Sequence, residues 1–169
     1  MRIMTGIWLR LKVLTQWREV FSNRTGDNTM KKPIISDMQI LRQKSLPATP
    51  DEVKAILQDL NDTLDLKRGL GLSAIQIGIP KNVAIIRHDG VKIDLINPEI
   101  LERDEKIIVK DEGCLSLTGI KITTDRYNYI KIDNNVKIEE YRGLLAICVQ
   151  HEVDHLRGLL IINRKHKAR

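Results

Sequence analysis

Gln150-His151-Glu152-Val153-Asp154-His155-Leu156, close to the end of a chain of 169 residues, decides how the rest is read. On a helix, residues four apart lie one turn above each other on the same face, so the two imidazoles can reach a single metal ion. Glu152 then points beside that ion, where it can move protons for a water, which is the mechanical content of the His-Glu-x-x-His pattern. With only three fixed positions, the pattern also fits a solvated helix face with two incidental histidines. A third ligand decides between the two.

The helix that carries the pattern is predicted over residues 143–157, with Gly158 as its stop signal. Leu144, Ile147, Cys148, His151 and His155 recur at helical spacing and are expected on one buried stripe, which would make the metal face also the core face. Zinc peptidases with this pattern usually take their third ligand downstream. Here Ile161 stands where the last His of His-Glu-x-x-His-x-x-Gly-x-x-His belongs, and no acidic residue follows His155, so both peptidase arrangements fail. Cys148 lies about 10 Å along the helix from His155, too far to share one ion with both histidines. Packing a pocket wall suits such a small thiol better. His88, beside a hairpin turn, and His166, in a basic tail, are expected to be exposed. Cys114 differs, because Glu112-Gly113-Cys114-Leu115-Ser116 interrupts two strand-like runs with a Gly expected to let the backbone approach closely. Two His and one Cys would leave a coordination position for water, the catalytic rather than the structural arrangement.

Apolar residues make up 42% of the chain and charged residues 30%, a globular balance. No run approaches the ~20 apolar residues of a membrane-spanning helix. Cys114 and Cys148 sit in unlike settings, which argues against a disulfide scaffold and for reduced thiols available to a metal. The net charge of +6 is uneven, because residues 1–29 carry five basic and two acidic residues and leave the remainder only +3. With aromatics at 4% there are no stacking platforms for bases, and nucleic-acid binding becomes a weak alternative. Residues 1–29 look foreign to the rest of the chain and are expected to be a leader, either disordered or a non-native extension ahead of a start at Met30. An organelle presequence is the lesser alternative. Residues 30–169 then form one catalytic domain.

Thr49-Pro50-Asp51-Glu52 combines a cap, a Pro at the first helical position and a capping-box Glu. Val53, Ile56, Leu57, Leu60 and Leu64 keep helical period, and Gly69 is expected to end a helix of about five turns. Beyond it the period becomes two. Val83 to Ile86 and Val91 to Ile96 flank His88-Asp89-Gly90 as a hairpin. Ile107 to Val109, Ile120 to Thr124, Tyr127 to Ile132 and Val136 to Ile138 are expected as further short strands, with a turn at Asn134-Asn135. The predicted class is α+β, with antiparallel β-sheets packed around a C-terminal metal-binding helix and one further helix toward the N-terminus.

Three separated motifs, Gly69-Leu70-Gly71-Leu72-Ser73-Ala74-Ile75-Gln76, Glu112-Gly113-Cys114-Leu115-Ser116 and Gln150 to Leu156, resemble in order and separation the signature motifs of the peptide deformylases. The resemblance covers residues 33–163, and Ile40-Leu41-Arg42 is similar to the family's start. It implies a hydrolase that removes the N-formyl group from the initiator methionine of nascent polypeptides and releases formate. Carried over by position, Cys114, His151 and His155 would hold one divalent ion, ferrous iron, with zinc, nickel or cobalt able to substitute. Glu152 would act as base and then acid, while the Gln76 amide and the Leu115 backbone N–H would stabilise the oxyanion. Gly69, Leu70 and Gly71 would run beside the bound peptide. Leu70, Leu144, Ile147 and Cys148 would line the pocket for the methionine side chain. Arg126 could pair with Asp154 or Glu112 beneath the site, on charge alone.

Departures from the family pattern are confined. Ser73 and Ile75 stand where the family most often has Ala and a small residue or Pro, and the segment from Ile132 to Tyr141 is shorter than in typical bacterial members. Only fourteen residues follow His155, so the C-terminal helix thought to dock bacterial deformylases on the ribosome is expected to be missing, as in compact phage-type members. The basic tail Arg164-Lys165-His166-Lys167 is then the remaining route to ribosome contact. A monomer is expected, with no membrane association, in the cytoplasm of a bacterial or phage-infected host cell. The competing assignments are a metal-dependent peptidase or amidase of other specificity and a non-catalytic metal-binding module.

Overall fold

Asp37 starts a single helical turn, α1 (Met38–Leu41), by accepting from the Gln39 N–H. Helix α2 (Pro50–Leu64) begins as its signals predict: the Thr49 N–H donates to Glu52 at 2.9 Å, and Pro50 opens the helix. It stops at Leu64 rather than at Gly69. Three positions beyond Leu64 the apolar stripe would meet Lys67, which is exposed, and the Lys67 N–H closes the end by donating to the Leu64 carbonyl. The computed structural model describes residues 31–168 apart from Leu66, Arg68 and Val136, so the leader expected over residues 1–29 lies outside the described residues.

The first sheet is antiparallel, ordered β1 (Gly71–Ser73), β2 (Val83–His88), β3 (Val91–Ile96). The hairpin between β2 and β3 turns through Asp89 at φ 46° and Gly90 at φ 79°, two successive left-handed residues of the kind a tight type I′ turn requires. A 3-10 turn, Ala74–Ile77, follows β1 and carries Gln76.

The second sheet, β4 (Pro98–Gly113), β5 (Lys121–Asn134) and β6 (Ile138–Arg142), is also antiparallel. Here the short strands expected from periodicity are corrected: Ile107 to Val109 is a fragment of one 16-residue strand, and the segments at 120–124 and 127–132 fall largely within one 14-residue strand. Most of β4 is exposed on both faces, so it has no apolar alternation to detect. Its pairing with β5 is held by the backbone ladder and by cross-strand ion pairs such as Lys106 with Asp125 and Lys131 with Glu102.

Helix α3 (Gly143–Leu156) packs Ala146, Val149, Val153 and Leu156 against Ala84, Ile86, Ile93 and Leu95 of the first sheet and Ile130 and Ile132 of the second. Successive side chains of β2 alternate as a pleat demands: Ala84 and Ile86 face α3, while Val83 and Ile85 join Ile56, Leu60 and Leu64 of α2. The core stripe of α3 is therefore only partly the expected one: Cys148 and His155 are buried as expected, the other three are not. Leu144 is exposed and Ile147 and His151 are half-buried, because the histidine face looks into a cleft beside the core.

Gly158, at φ 73°, ends the helix, and a Cβ there would lie 2.4 Å from the Arg42 carbonyl oxygen. Beyond it a 3-10 turn, Ile161–Arg164, leads the chain back along β5. His166 is consequently not exposed as expected but half-buried: its backbone N–H donates to the Thr123 carbonyl and its Nδ1 faces Asp125 at 2.8 Å. His88 is likewise half-buried, with Nε2 3.2 Å from Asp89.

Candidate active site

Two helical histidines one turn apart need a third donor from outside the helix, and the end of β4 delivers it. Cys114 Sγ lies 3.2 Å from His155 Nε2, which lies 3.2 Å from His151 Nε2, and all three atoms fall within 4.8 Å of one another. Ligand nitrogens each about 2.0–2.1 Å from one tetrahedral ion would stand about 3.3 Å apart, so this spacing suits a shared cation. The protonation pattern suits it too. His151 Nδ1 faces the Glu112 carboxylate at 2.7 Å, so with an ion bound that nitrogen would keep the proton and leave Nε2 for the ion; without one, burial is outweighed by hydrogen bonds with Cys114 and Glu112, which push the imidazole up to about 10. Burial first, and then the neighbouring His151, hold the His155 imidazole well below its usual pKa, which keeps it neutral and able to donate.

Glu152 lines the same cavity, on the turn between the two histidines. Among the described residues its Oε2 is buried without a hydrogen-bond partner, and burial pushes its carboxyl up to about 7, against the opposing charges of His151 and Arg126. Such a group is poised to take and return a proton near neutral pH. Backbone at β1 presses against it: a Cβ at Gly71 would lie 2.5 Å from Glu152 Oε1, and one at Gly69 would lie 2.8 Å from Leu115 Cδ1. These two glycines make the close approaches expected of Gly113, where an added Cβ would meet nothing within 4 Å. β1 is an edge strand of its sheet, so its outer side is open to an extended peptide.

Gln76 reaches the cluster from the 3-10 turn. Its Oε1 accepts from the Ser73 N–H and hydroxyl, each at 2.9 Å, which aims Nε2 toward Cys114 Sγ at 3.6 Å and Ser116 Oγ at 3.2 Å. Ser73, a departure from the family pattern, thus helps orient this amide.

Beneath the histidines lies a buried ionic chain. Arg126 donates from Nε and Nη2 to Glu112 at 3.0 and 2.6 Å and from Nη1 to Asp154 at 2.5 Å. Thr124 Oγ1 adds a further donor to Glu112 at 2.5 Å. Burial opposes the charge on Glu112, but His151 and Arg126 outweigh it and hold the carboxyl well below its usual range. Arg126 therefore pairs with both partners between which charge alone left the choice open.

The cavity, about 490 Å³, is lined by Gly69, Leu70, Gly71, Gln76, Cys114 and Leu115 on one side. Leu144, Ile147, Cys148, His151 and Glu152 line it from α3, and His155 lies beneath, in contact with Cys114 and His151. Sequence reasoning missed Lys110 and Asp111, which join the rim because the β4 register shifts between Val109 and Glu112 and Asp111 adopts φ 55°. Neither the bulge nor that φ has a marker in the sequence. Ser116 belongs to the Cys114 motif, but only its contact with Gln76 gives it a role.

The two thiols should differ in reactivity. Burial, with the nearby Glu152 and Glu112 charges, pushes Cys148 up to about 12, whereas Cys114 is half-exposed in the cleft. Iodoacetamide at pH 8 is expected to modify the metal-free protein at Cys114 alone, and added metal to protect it. Peptide mass mapping that finds Cys148 alkylated at a comparable rate would refute this.

Comparison with known proteins gives the same assignment. The sequence profile of the family described as polypeptide deformylase matches residues 31–169. A peptide deformylase of Desulfitobacterium hafniense is 36% identical over 138 residues, covering 77% of this chain and 91% of the relative. One of Helicobacter pylori is 36% identical over 141 residues, covering 75% and 80%. The crystal structure of peptide deformylase from Thermotoga maritima superposes with a TM-score of 0.72 at 32% identity, over 81% of this chain and 99% of that one.

Proposed function

We propose, from the premise that the chain belongs to the polypeptide deformylase family, an assignment of its residues to the steps by which it removes the N-formyl group from nascent polypeptides as a metal-dependent hydrolase. One observation carries it: Cys114, His151 and His155 converge at the floor of a cavity whose wall holds a buried carboxyl, Glu152, with an unpartnered oxygen. Two imidazoles and a thiolate suit a borderline-soft divalent ion. Ferrous iron is the ion proposed, as the family resemblance implies, with zinc, nickel or cobalt able to take its place. When bound, such an ion supplies Lewis acidity toward water and the formyl carbonyl.

The remaining steps belong to the chain. Leu70, Leu144, Ile147 and Cys148 receive the methionine side chain, and the open edge at Gly69-Leu70-Gly71 pairs with the peptide backbone. Glu152 takes a proton from the attacking water as its oxygen adds to the formyl carbon. The Gln76 Nε2–H and the Leu115 N–H stabilise the charge that develops on the formyl oxygen, each such donor being worth about 3 kcal/mol of barrier. Glu152 then passes its proton to the amine nitrogen as the C–N bond breaks, leaving formate and a free N-terminus.

The protein is proposed to act as a cytoplasmic monomer in a bacterial or phage-infected cell; no helix among the described residues is long and apolar enough to cross a membrane. Ribosome contact through the basic tail would fall to Lys165 and Lys167, which are exposed, because Arg164 and His166 have partners within the fold. Incubating the iron- or nickel-loaded protein with formyl-Met-Ala and acetyl-Met-Ala tests the assignment. Formate should be released and acetate should not; comparable cleavage of both, or of neither, would defeat the deformylase specificity.

A further inference from the structure

The ionic chain behind His151 continues past Asp154 into the tail. Arg164, at the end of the 3-10 turn after α3, donates from Nε to Asp154 Oδ2 at 2.9 Å and from Nη2 to Oδ1 at 2.6 Å, a bidentate fork on a carboxylate that is 4% exposed. Asp154 Oδ2 is also the atom that receives Arg126 Nη1. We propose that Arg164 is a positioning residue for the metal site, fixing Asp154 so that the Arg126 guanidinium keeps two donors on Glu112, and Glu112 keeps the His151 ring in its ligating orientation.

A guanidinium has five N–H donors in one rigid plane, so it cannot turn toward one carboxylate without leaving another. Arg126 is 2% exposed and shared between Glu112 and Asp154. If Arg164 were absent, Asp154 would be a desolvated carboxylate with one charged donor, and its demand for a second would draw Arg126 away from Glu112. With Arg164 present, two guanidiniums meet two carboxylates and both Asp154 oxygens are satisfied.

The tail is built to hold Arg164 there. Lys165 pairs with Thr124 in an antiparallel bridge, and the His166 N–H donates to Thr123. Thr124 in turn donates its hydroxyl to Glu112. The tail therefore bears on Glu112 by two routes, one ionic through Asp154 and Arg126 and one through the strand it flanks. Arg164 is neither among the residues that line the cavity nor part of the metal cluster, and the influence proposed for it passes through these intermediates.

The inference rests on the metal assignment of the cysteine and two histidines, and the test separates the two. Metal affinity is measured by chelator competition with Co2+ for the wild type, R164A, R164Q and R164K. The His151 Nδ1–H resonance is followed in the zinc-loaded proteins, and circular dichroism reports folding. Failure of the wild type to bind one equivalent would sink the metal assignment itself. Given that binding, R164A should lose about tenfold in affinity, the lower end of what removing outer partners of metal ligands costs. Its His151 Nδ1–H should exchange faster, KM for formyl-Met-Ala should hold while kcat falls, and R164K should recover part of each loss.

Deleting a cation also removes its repulsion of the metal, an effect of opposite sign. Affinity that rises or stays level in R164A would show that charge rather than positioning is at work and would overturn the proposal. If R164A fails to fold, R164Q decides on the same readouts. His166→Ala loosens the tail without touching Asp154 and should bind metal like the wild type. An equal loss there would mean that tail docking, not the Arg164 fork, is what matters, and would also overturn it.

Discussion

Replacing Glu152 by Gln is expected to leave a folded protein that still binds one equivalent of metal, while formate release from formyl-Met-Ala falls by a factor of about 10³ to 10⁴. The size follows from the group's two duties, since one carboxyl both accepts the proton of the water and delivers it to the amine. The amide keeps the shape that fills the space beside Gly71, where backbone and carboxyl already meet too closely for even one added methyl. Folding should not suffer, because Glu152 Oε2 has no hydrogen-bond partner to lose. Formate assay, metal analysis and thermal unfolding on the same preparation check this. A variant that retains turnover within tenfold of the wild type would remove Glu152 from the chemistry and return the site to a structural metal-binding module. Loss of metal alongside loss of turnover would mean that the carboxyl holds the cluster together instead of acting on substrate.

How much of the molecule is legible in its sequence depends on whether a residue's role is local. The capping box at Thr49 and the Asp89-Gly90 turn are satisfied within four residues, and both form where the sequence places them. Helix α3 is also legible, since Gly158 and the helical spacing are local signals. What fails is longer in range. β4 is exposed on both faces, so its 16 residues owe their strand conformation to pairing with β5, and no periodicity in β4 itself announces that. The stripe expected on α3 is buried at Cys148 and His155 but not at Leu144, Ile147 and His151, because helical spacing places residues together without saying whether they meet a sheet or a cleft. Ala146, Val149, Val153 and Leu156 meet the sheets; Leu144 and Ile147 meet the cavity.

The site divides along the same line. The histidine pair and its Glu are contiguous on one helical turn, and so are found directly. Cys114 comes from another element and is reached by setting aside the other Cys and His residues, whereas Gln76 becomes visible only through motif resemblance, because contacts across 38 and 41 residues of sequence leave no trace in spacing. Glycine roles are exchanged for a related reason. Gly113 looks important for standing beside the cysteine, but the backbone crowding occurs at Gly69 and Gly71, against side chains from Leu115 and Glu152 that only the tertiary fold brings near.

Arg126→Met should produce the largest loss of stability among single substitutions in the ionic chain, about 3–5 kcal/mol. Methionine fills much of the same space, so packing is largely kept while two carboxylates lose their shared cation. Glu112 would retain His151 and Thr124, and Asp154 would retain Arg164, but each would be left short of a charged donor in a setting nearly closed to water. At roughly 2–4 °C per kcal/mol for a chain of this size, the melting temperature should fall by about 6–20 °C. A loss of solvated surface pairing would be far smaller, about 1 kcal/mol at most. Adding Asp154→Asn to the same variant removes one of the stranded charges, and the double variant should therefore melt above Arg126→Met alone even though it has lost more hydrogen-bonding partners. Arg164, at 36% side-chain exposure, can take water in exchange for Asp154, which is why this second substitution costs less than it relieves. A melting temperature for Arg126→Met within about 2 °C of the wild type, less than the shift expected from a single kcal/mol, or a double variant less stable than the single one, would contradict the view that Arg126 is needed chiefly to neutralise the two buried carboxylates under the site.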